Sequence, residues 1–195
     1  TTEDVTEDDT SVTFSVQLSN VPDPTYTGTT SVQVEVDGTT HNVTVDASGK
    51  GTLTIATQDS DVYVDGSSIS AEVTGVTGGN YEKVTTGQTA SADITDTTND
   101  TTLTLADVNV NEGSGTATIS ATLDYAPQNS ALVVTLDNGA TITFAVGATT
   151  ATSTAFTIQS DDVYKDSETY SVKVASTNSG GNFENLVTTD TSTVI

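Results

Sequence analysis

Apolar and polar residues alternate along most of this chain. Val12, Phe14, Val16 and Leu18 take every second position of one stretch, and Ala117, Ile119, Ala121 and Leu123 do the same further on. A period of two puts one face of each segment in a core and leaves the other to Thr and Ser, so both stretches are predicted strands. Shorter runs with the same character follow at 32–36, 43–45, 53–55 and 69–73, and again at 132–136, 142–146, 156–158 and 170–174. Gly, Asn and Asp separate them, as turns require. Near residue 106 the phase changes, from Leu103 and Leu105 to Val108 and Val110. Such a change predicts a bulge that carries the first strand of this half from one sheet to the other.

The pattern is written twice. "VTEDDTSVTFSVQLSNVP" (5–22) matches "VNEGSGTATISATLDYAP" (110–127) without a gap at Val5, Glu7, Leu18 and Pro22. "QDSDVYVDGSSISAEV" (58–73) answers "QSDDVYKDSETYSVKV" (159–174), and "GGNYEKV" (78–84) answers "GGNFENL" (180–186). Three blocks in one order imply a tandem duplication with a period of about 100 residues, which is domain-sized and too long for a solenoid repeat. Seven strands per copy read as an immunoglobulin-like sandwich. The expected architecture is therefore all-β: two tandem immunoglobulin-like β-sandwich domains, 1–96 and 97–195, joined by a short acidic linker. Copy one has no counterpart of "TTLTL" (101–105), so its first strand is expected to be truncated, as is the acidic seam after Ile195.

Composition narrows the chemistry. Thr, Ser, Val and Gly dominate, a strand-and-turn composition. Four Lys and Arg stand against 27 Asp and Glu, a formal net charge of -23, so nucleic acid would meet a repulsive surface and is excluded as a partner. The chain has no Cys and no Met, hence no disulfides and no thiol chemistry. No apolar run approaches a membrane span, so no membrane insertion is expected. His41 is the only histidine, and any Ser-His-Asp system or zinc site would have to be built around it alone, which argues against both. Ten aromatics without a Trp make a poor glycosidase cleft, so the chain is read as no enzyme, with no small-molecule substrate. Asn42 and Asn99 open N-x-T sequons that matter only in a eukaryotic secretory route.

The acids are grouped. In such a sandwich the turn after the first strand, the loop before the sixth strand and the end of the last strand share one pole. Glu7, Asp59, Asp61, Asp65, Asp93, Asp96 and Asp100 are thereby expected to converge, and in copy two Glu112, Asp161, Asp162 and Asp166 form the corresponding set. Carboxylates brought together repel unless a cation neutralises them, and an oxygen-only donor set suits Ca²⁺, which takes six to eight oxygens with tolerant geometry, better than Mg²⁺. "DSDVYVDG" (59–66) lacks the EF-hand spacing and no GGxGxD run occurs, so the site must be assembled from distant segments. Scattered acids such as Glu35, Asp37, Asp46, Glu72 and Asp137 are read instead as a solubilising surface. Tyr63 and Tyr164 are expected to be structural corners that hydrogen-bond back to the chain, and "GGNYE" and "GGNFE" to be hairpin turns with a packed aromatic.

"DVYVDG" and "DDVYKD", followed by "GGNYE" and "GGNFE", then "ITDTTNDTTLTL" and "VNEGSGTATISATL", resemble the immunoglobulin-like extender repeats of giant RTX-type adhesins, which Gram-negative bacteria export by type I secretion. "VNEGSG" is also similar to the start of Calx-β domains, whose calcium ligands come from an early Glu, a loop acid and a terminal acidic run. The resemblance covers nearly the whole chain. It implies a monomeric, extracellular spacer on the cell surface, part of a secreted adhesin, with neighbouring repeats of the same chain as its partners and calcium at the joints between domains. Carried over by position, Glu7, Asp61, Asp65, Asp96 and Asp100 would line such a joint, while "VTEDD" departs from the pattern and brings in Asp8 or Asp9. The alternative is an adhesive binding module whose loop tips recognise a carbohydrate or protein.

Overall fold

A computed structural model of the chain describes residues 1–57, 60–159, 162–164 and 167–195. It divides into two compact units, Thr1–Ser60 with Asp65–Thr97, and Asp61–Val64 with Thr98–Ile195. The chain thus passes into the second unit for four residues before it returns and finishes the first. No α-helix occurs among the described residues, and no helix is long and apolar enough to cross a membrane.

The first unit contains β1 (Val5–Thr6), β2 (Ser11–Gln17), β3 (Ser31–Val36), β4 (Thr39–Thr44), β5 (Lys50–Ala56), β6 (Ser67–Thr77) and β7 (Thr89–Thr95). One sheet runs β1-β7-β6-β3-β4 and the other is the pair β2-β5. The alternation read from the sequence decides which side chains meet: Val12 and Phe14 from β2 pack with Val32, Val34, Val36, Ile69, Ala92 and Ile94 from the larger sheet. The β3–β4 hairpin turns on Asp37 and Gly38, both at positive φ (49° and 74°). That is the left-handed pair a two-residue hairpin needs to match strand twist.

The second unit contains β8 (Asp100–Leu105), β9 (Thr116–Ala117), β10 (Ser120–Leu123), β11 (Leu132–Leu136), β12 (Thr141–Phe144), β13 (Thr150–Thr152), β14 (Phe156–Thr157), β15 (Tyr170–Thr177), β16 (Asn185–Val187) and β17 (Thr191–Val194), with a 3-10 turn at Glu112–Ser114. Its sheets run β13-β10-β8-β16 and β12-β11-β15-β17, with β9 paired to β14. One expected strand, from 117 to 123, is interrupted into β9 and β10, the strand expected at 156–158 is β14, and β13 is an additional short strand before it. The predicted change of sheet is present: Leu103 and Leu105 pair with β10, whereas Val108 bridges in parallel to Val194 of the opposite sheet. Ala106 N–H still bonds to Ser120 and Val108 N–H already bonds to Thr193, so the crossing takes two residues. Leu103, Ile119, Leu132, Val134, Ile142 and Phe144 are fully buried between these sheets.

Each unit buries a core of its own between two sheets, as an immunoglobulin-like sandwich does. Phe144 is the largest side chain with no exposure at all. Phe144→Ala is expected to destabilise the second unit by about 3–5 kcal/mol through lost burial and an unfilled cavity, measured as a shift of its transition in urea.

Candidate functional site: a carboxylate cluster in the first unit

Strand register builds this site. β1 pairs in parallel with β7, Val5 beside Ile94 and Thr6 beside Thr95, and the next step of that ladder sets Glu7 beside Asp96. On the other side of β7, β6 runs antiparallel with Ser67 opposite Ile94, and extending that register by two residues sets Asp65 opposite Asp96. Three acids distant in sequence therefore end on neighbouring strands at one edge of one sheet. Each offers a carboxylate oxygen, and the three lie within 4.8 Å of one another.

The hydrogen bonds divide the oxygens into two kinds. Glu7 N–H bonds to the Thr95 carbonyl (3.0 Å), and Glu7 Oε1 accepts both the Thr97 N–H (3.1 Å) and the Thr97 hydroxyl (3.0 Å). Asp96 Oδ2 accepts the Asp65 N–H (3.0 Å). The remaining oxygens, Glu7 Oε2 and Asp96 Oδ1, are buried and have no hydrogen-bond donor among the described residues. Glu7 as a whole is only 2% exposed. A buried carboxylate oxygen without a donor is costly unless something positive completes it. Gly66 contributes by what it lacks: a Cβ there would stand 3.2 Å from Asp96 Oδ1, so any side chain at position 66 would crowd that oxygen.

A Ca²⁺ ion holds its oxygens at about 2.3–2.6 Å, so oxygens on opposite sides of it are about 5 Å apart. The three carboxylates fit within one such coordination sphere, and their all-oxygen chemistry is that of a hard cation.

The other predicted ligands are placed differently. Asp61 belongs to the second unit, where its Oδ1 accepts the Tyr63 N–H (2.7 Å) and its carbonyl accepts Asn99 Nδ2 (2.8 Å). Asp100, in β8, accepts Asn185 Nδ2 (2.7 Å). Asp93 is exposed on β7 between buried Ala92 and Ile94, and its N–H bonds to Asp4 (3.0 Å). Asp162 is exposed and accepts the Tyr164 N–H (2.7 Å). Asp59, Asp161 and Asp166 lie outside the described residues, and Glu112 falls in the 3-10 turn with its side chain likewise outside them. Asp9 holds Thr6 through its N–H and hydroxyl, and Asp8 accepts Ser60 Oγ (2.7 Å), so both brace the turn that carries Glu7. Thr97 and Gly66 are the contributors that sequence reasoning missed.

Asp46, read from the sequence as a surface acid, closes a turn. Its Oδ1 accepts Lys50 N–H, Ser48 Oγ and Ser48 N–H, and these bonds, the one from Lys50 first, hold its carboxyl below the ordinary value. Tyr63 hydrogen-bonds back to the chain, as a structural corner does, but to a carbonyl distant in sequence. Its hydroxyl donates to Ala126 (2.6 Å) and its ring stacks on Phe183 at 5.6 Å, because residues 61–64 belong to the second unit. Burial raises its phenol above the ordinary value, which keeps the donor protonated.

Fold and site together define a tandem, all-β protein of immunoglobulin-like sandwiches with a built carboxylate cluster in its first unit. The chain belongs to the LapA domain family, whose model matches residues 1–97 and again 99–195. The resemblance to large-adhesin repeats drawn from the sequence stands on that membership. No curated protein matches the chain in sequence. Among solved structures it is similar to CBD12 from CALX1.2, at 14% identity over 90% of this chain and 77% of that one, with a TM-score of 0.36. It is also similar to the calcium binding domain CBD12 of CALX1.1, at 13% identity, 90% and 78% coverage and a TM-score of 0.35. A third likeness is to a 1.5-MDa bacterial ice-binding adhesin, at 21% identity over 99% of this chain and 62% of that chain, with a TM-score of 0.27. At these scores the family match, and not the structural likeness, carries the identification.

In chelator, Glu7→Gln is expected to melt at or above the wild type, since it keeps an acceptor for Thr97 and removes one of three crowded charges. Glu7→Ala, which removes the carboxylate oxygen that accepts both Thr97 donors, is expected to lose about 1–3 kcal/mol. Calorimetry of the two variants side by side checks the pair of outcomes.

Proposed function

We propose that this chain is a calcium-dependent spacer of a bacterial cell-surface adhesin, with no catalytic role. The observation that carries the reading is the Glu7–Asp65–Asp96 cluster, in which two buried oxygens have no hydrogen-bond donor among the described residues. Its place in the chain supports a mechanical role. Asp65 is the first residue after the four-residue passage through the second unit, and Asp96 stands one residue before the first unit ends at Thr97. A cation held by both, and by Glu7, ties down the point at which the chain returns to the first unit and the point at which it finally leaves it. Without the cation the like charges repel and these points loosen; with it they are fixed, and a string of such domains stiffens.

Membership of the LapA domain family supports the adhesin setting. From it follow a location outside the cell, at its surface, and neighbouring repeats as partners. Export by type I secretion and a part in biofilms belong to the same proposal. Asp61, Asp93 and Asp100, and the acids of copy two, are proposed as further calcium ligands.

The test is a calorimetric melt of the chain in millimolar Ca²⁺, in Mg²⁺ and in chelator at matched ionic strength. At the roughly 10⁻⁴ to 10⁻³ M affinities of extracellular modules, calcium is expected to add about 1–3 kcal/mol per site. Asp96→Asn and Glu7→Gln should each remove the increment assigned to the first unit's cluster. Identical melts in all three buffers would overturn the proposal.

A further inference from the structure

The two copies of one motif are in opposite states. In the first, Val62 is 5% exposed and Tyr63 half-buried; in the second, the corresponding Val163 and Tyr164 are 91% and 73% exposed. The local conformation does not explain the difference. Asp61 Oδ1 accepts the Tyr63 N–H at 2.7 Å, and Asp162 Oδ1 accepts the Tyr164 N–H at the same distance. Both segments carry the same Asx turn, which aims a valine and a tyrosine in a preformed shape.

What buries Val62 and Tyr63 is the turn "GGNFE" (180–184). Val64 N–H bonds to the Asn182 carbonyl and Glu184 N–H to the Val62 carbonyl, both at 3.0 Å, making an antiparallel bridge of Tyr63 with Phe183. Asn182 Nδ2 adds a bond to the Val64 carbonyl (3.2 Å), Phe183 stacks on the Tyr63 ring, and Ala126 receives its hydroxyl. The receiver needs Gly181 and Asn182 at positive φ, 93° and 60°, to turn their peptide groups toward the incoming strand.

The first unit carries a turn of the same backbone shape, in which Asn80 Nδ2 donates to Asp23 Oδ2 (3.0 Å) in place of an incoming strand. In "GGNYE" (78–82), Gly79 and Asn80 take the same left-handed conformation at 71° and 58°. Asp23 N–H bonds to the Gly79 carbonyl (3.1 Å) as Gln128 N–H bonds to that of Gly181 (3.0 Å). Here too the states are opposite: Asn182 and Glu184 are half-buried, whereas Asn80 and Glu82 are exposed. Each copy of the sequence pattern thus carries both halves of one contact. The contact forms once within the chain, and one half is left over at each end of the pattern.

We propose that Asp162–Tyr164 is a docking peg for the Gly-Gly-Asn-aromatic-Glu turn of another copy of this module, and that residues 78–82 are the receiver for such a peg. The occupant is a second copy of this chain, joined head to tail. The contact is a strand addition, mostly between backbones, which explains why Tyr81 can stand where Phe183 does. A peg already shaped by its Asx turn loses little freedom on docking. This inference goes beyond calcium binding, since the contact uses no carboxylate cluster.

The contact is weak between separate chains, because a tethered neighbour supplies an effective concentration of about 1 mM. It is therefore tested on the whole chain by NMR, with dilution from about 1 mM at high salt to screen the net charge, in calcium and again in chelator. Concentration-dependent shifts are expected at Val163, Tyr164 and residues 79–82 together. A labelled Val163→Ser, Tyr164→Ala chain keeps the receiver and lacks the exposed peg, so its folding is undisturbed. Its residues 79–82 should be silent alone and shift when unlabelled wild-type chain is added. No dilution dependence at these positions in either buffer overturns the proposal, as do shifts at Val163 and Tyr164 that leave 79–82 unmoved, which would mark a symmetric dimer.

Discussion

A two-residue parallel strand governs the acidic edge of the first unit. β1 contributes only Val5 and Thr6 to its ladder, yet this register sets Glu7 beside Asp96, and the β6–β7 register sets Asp65 on the other flank. Neither pairing alone concentrates charge. Together they place three carboxylates within 4.8 Å, and the fold satisfies one oxygen each of Glu7 and Asp96 while leaving the other buried without a donor among the described residues.

Strand alternation was the most legible part of the sequence. It located the core of both units and foretold the sheet change between Leu105 and Val108, because a phase shift of a period-two pattern has few other physical meanings. The same alternation carries information about the acids. Glu7 lies two residues from Val5, on the inward parity, and the structure buries it; Asp93 lies between Ala92 and Ile94, which are buried, and it faces out. Parity separates these two acids where proximity in sequence does not. Of the loop acids, Asp61 and Asp65 look alike in "DSDVYVDG", and only the contacts show that they belong to different units.

The passage of residues 61–64 into the second unit left no sequence signal, for a physical reason. Its bonds run largely between backbone groups of Val62, Val64, Asn182 and Glu184, and backbone groups are the same at every position. What the sequence did show was that the two partners, "DVY" and "GGN" followed by an aromatic and Glu, occur once in each copy. Their repetition marks the duplication but does not say which segment each contacts.

The two features share a loop. Val64, the last residue of the docked segment, is followed directly by Asp65, whose N–H is held by Asp96 Oδ2. Docking fixes the backbone up to Val64 through its bonds to Asn182, and this removes much of the freedom that Asp65 would otherwise lose on joining Glu7 and Asp96 around a cation. The coupling is reciprocal by linkage: an ion that orders Asp65 lowers the entropic cost of seating the segment that ends one residue earlier.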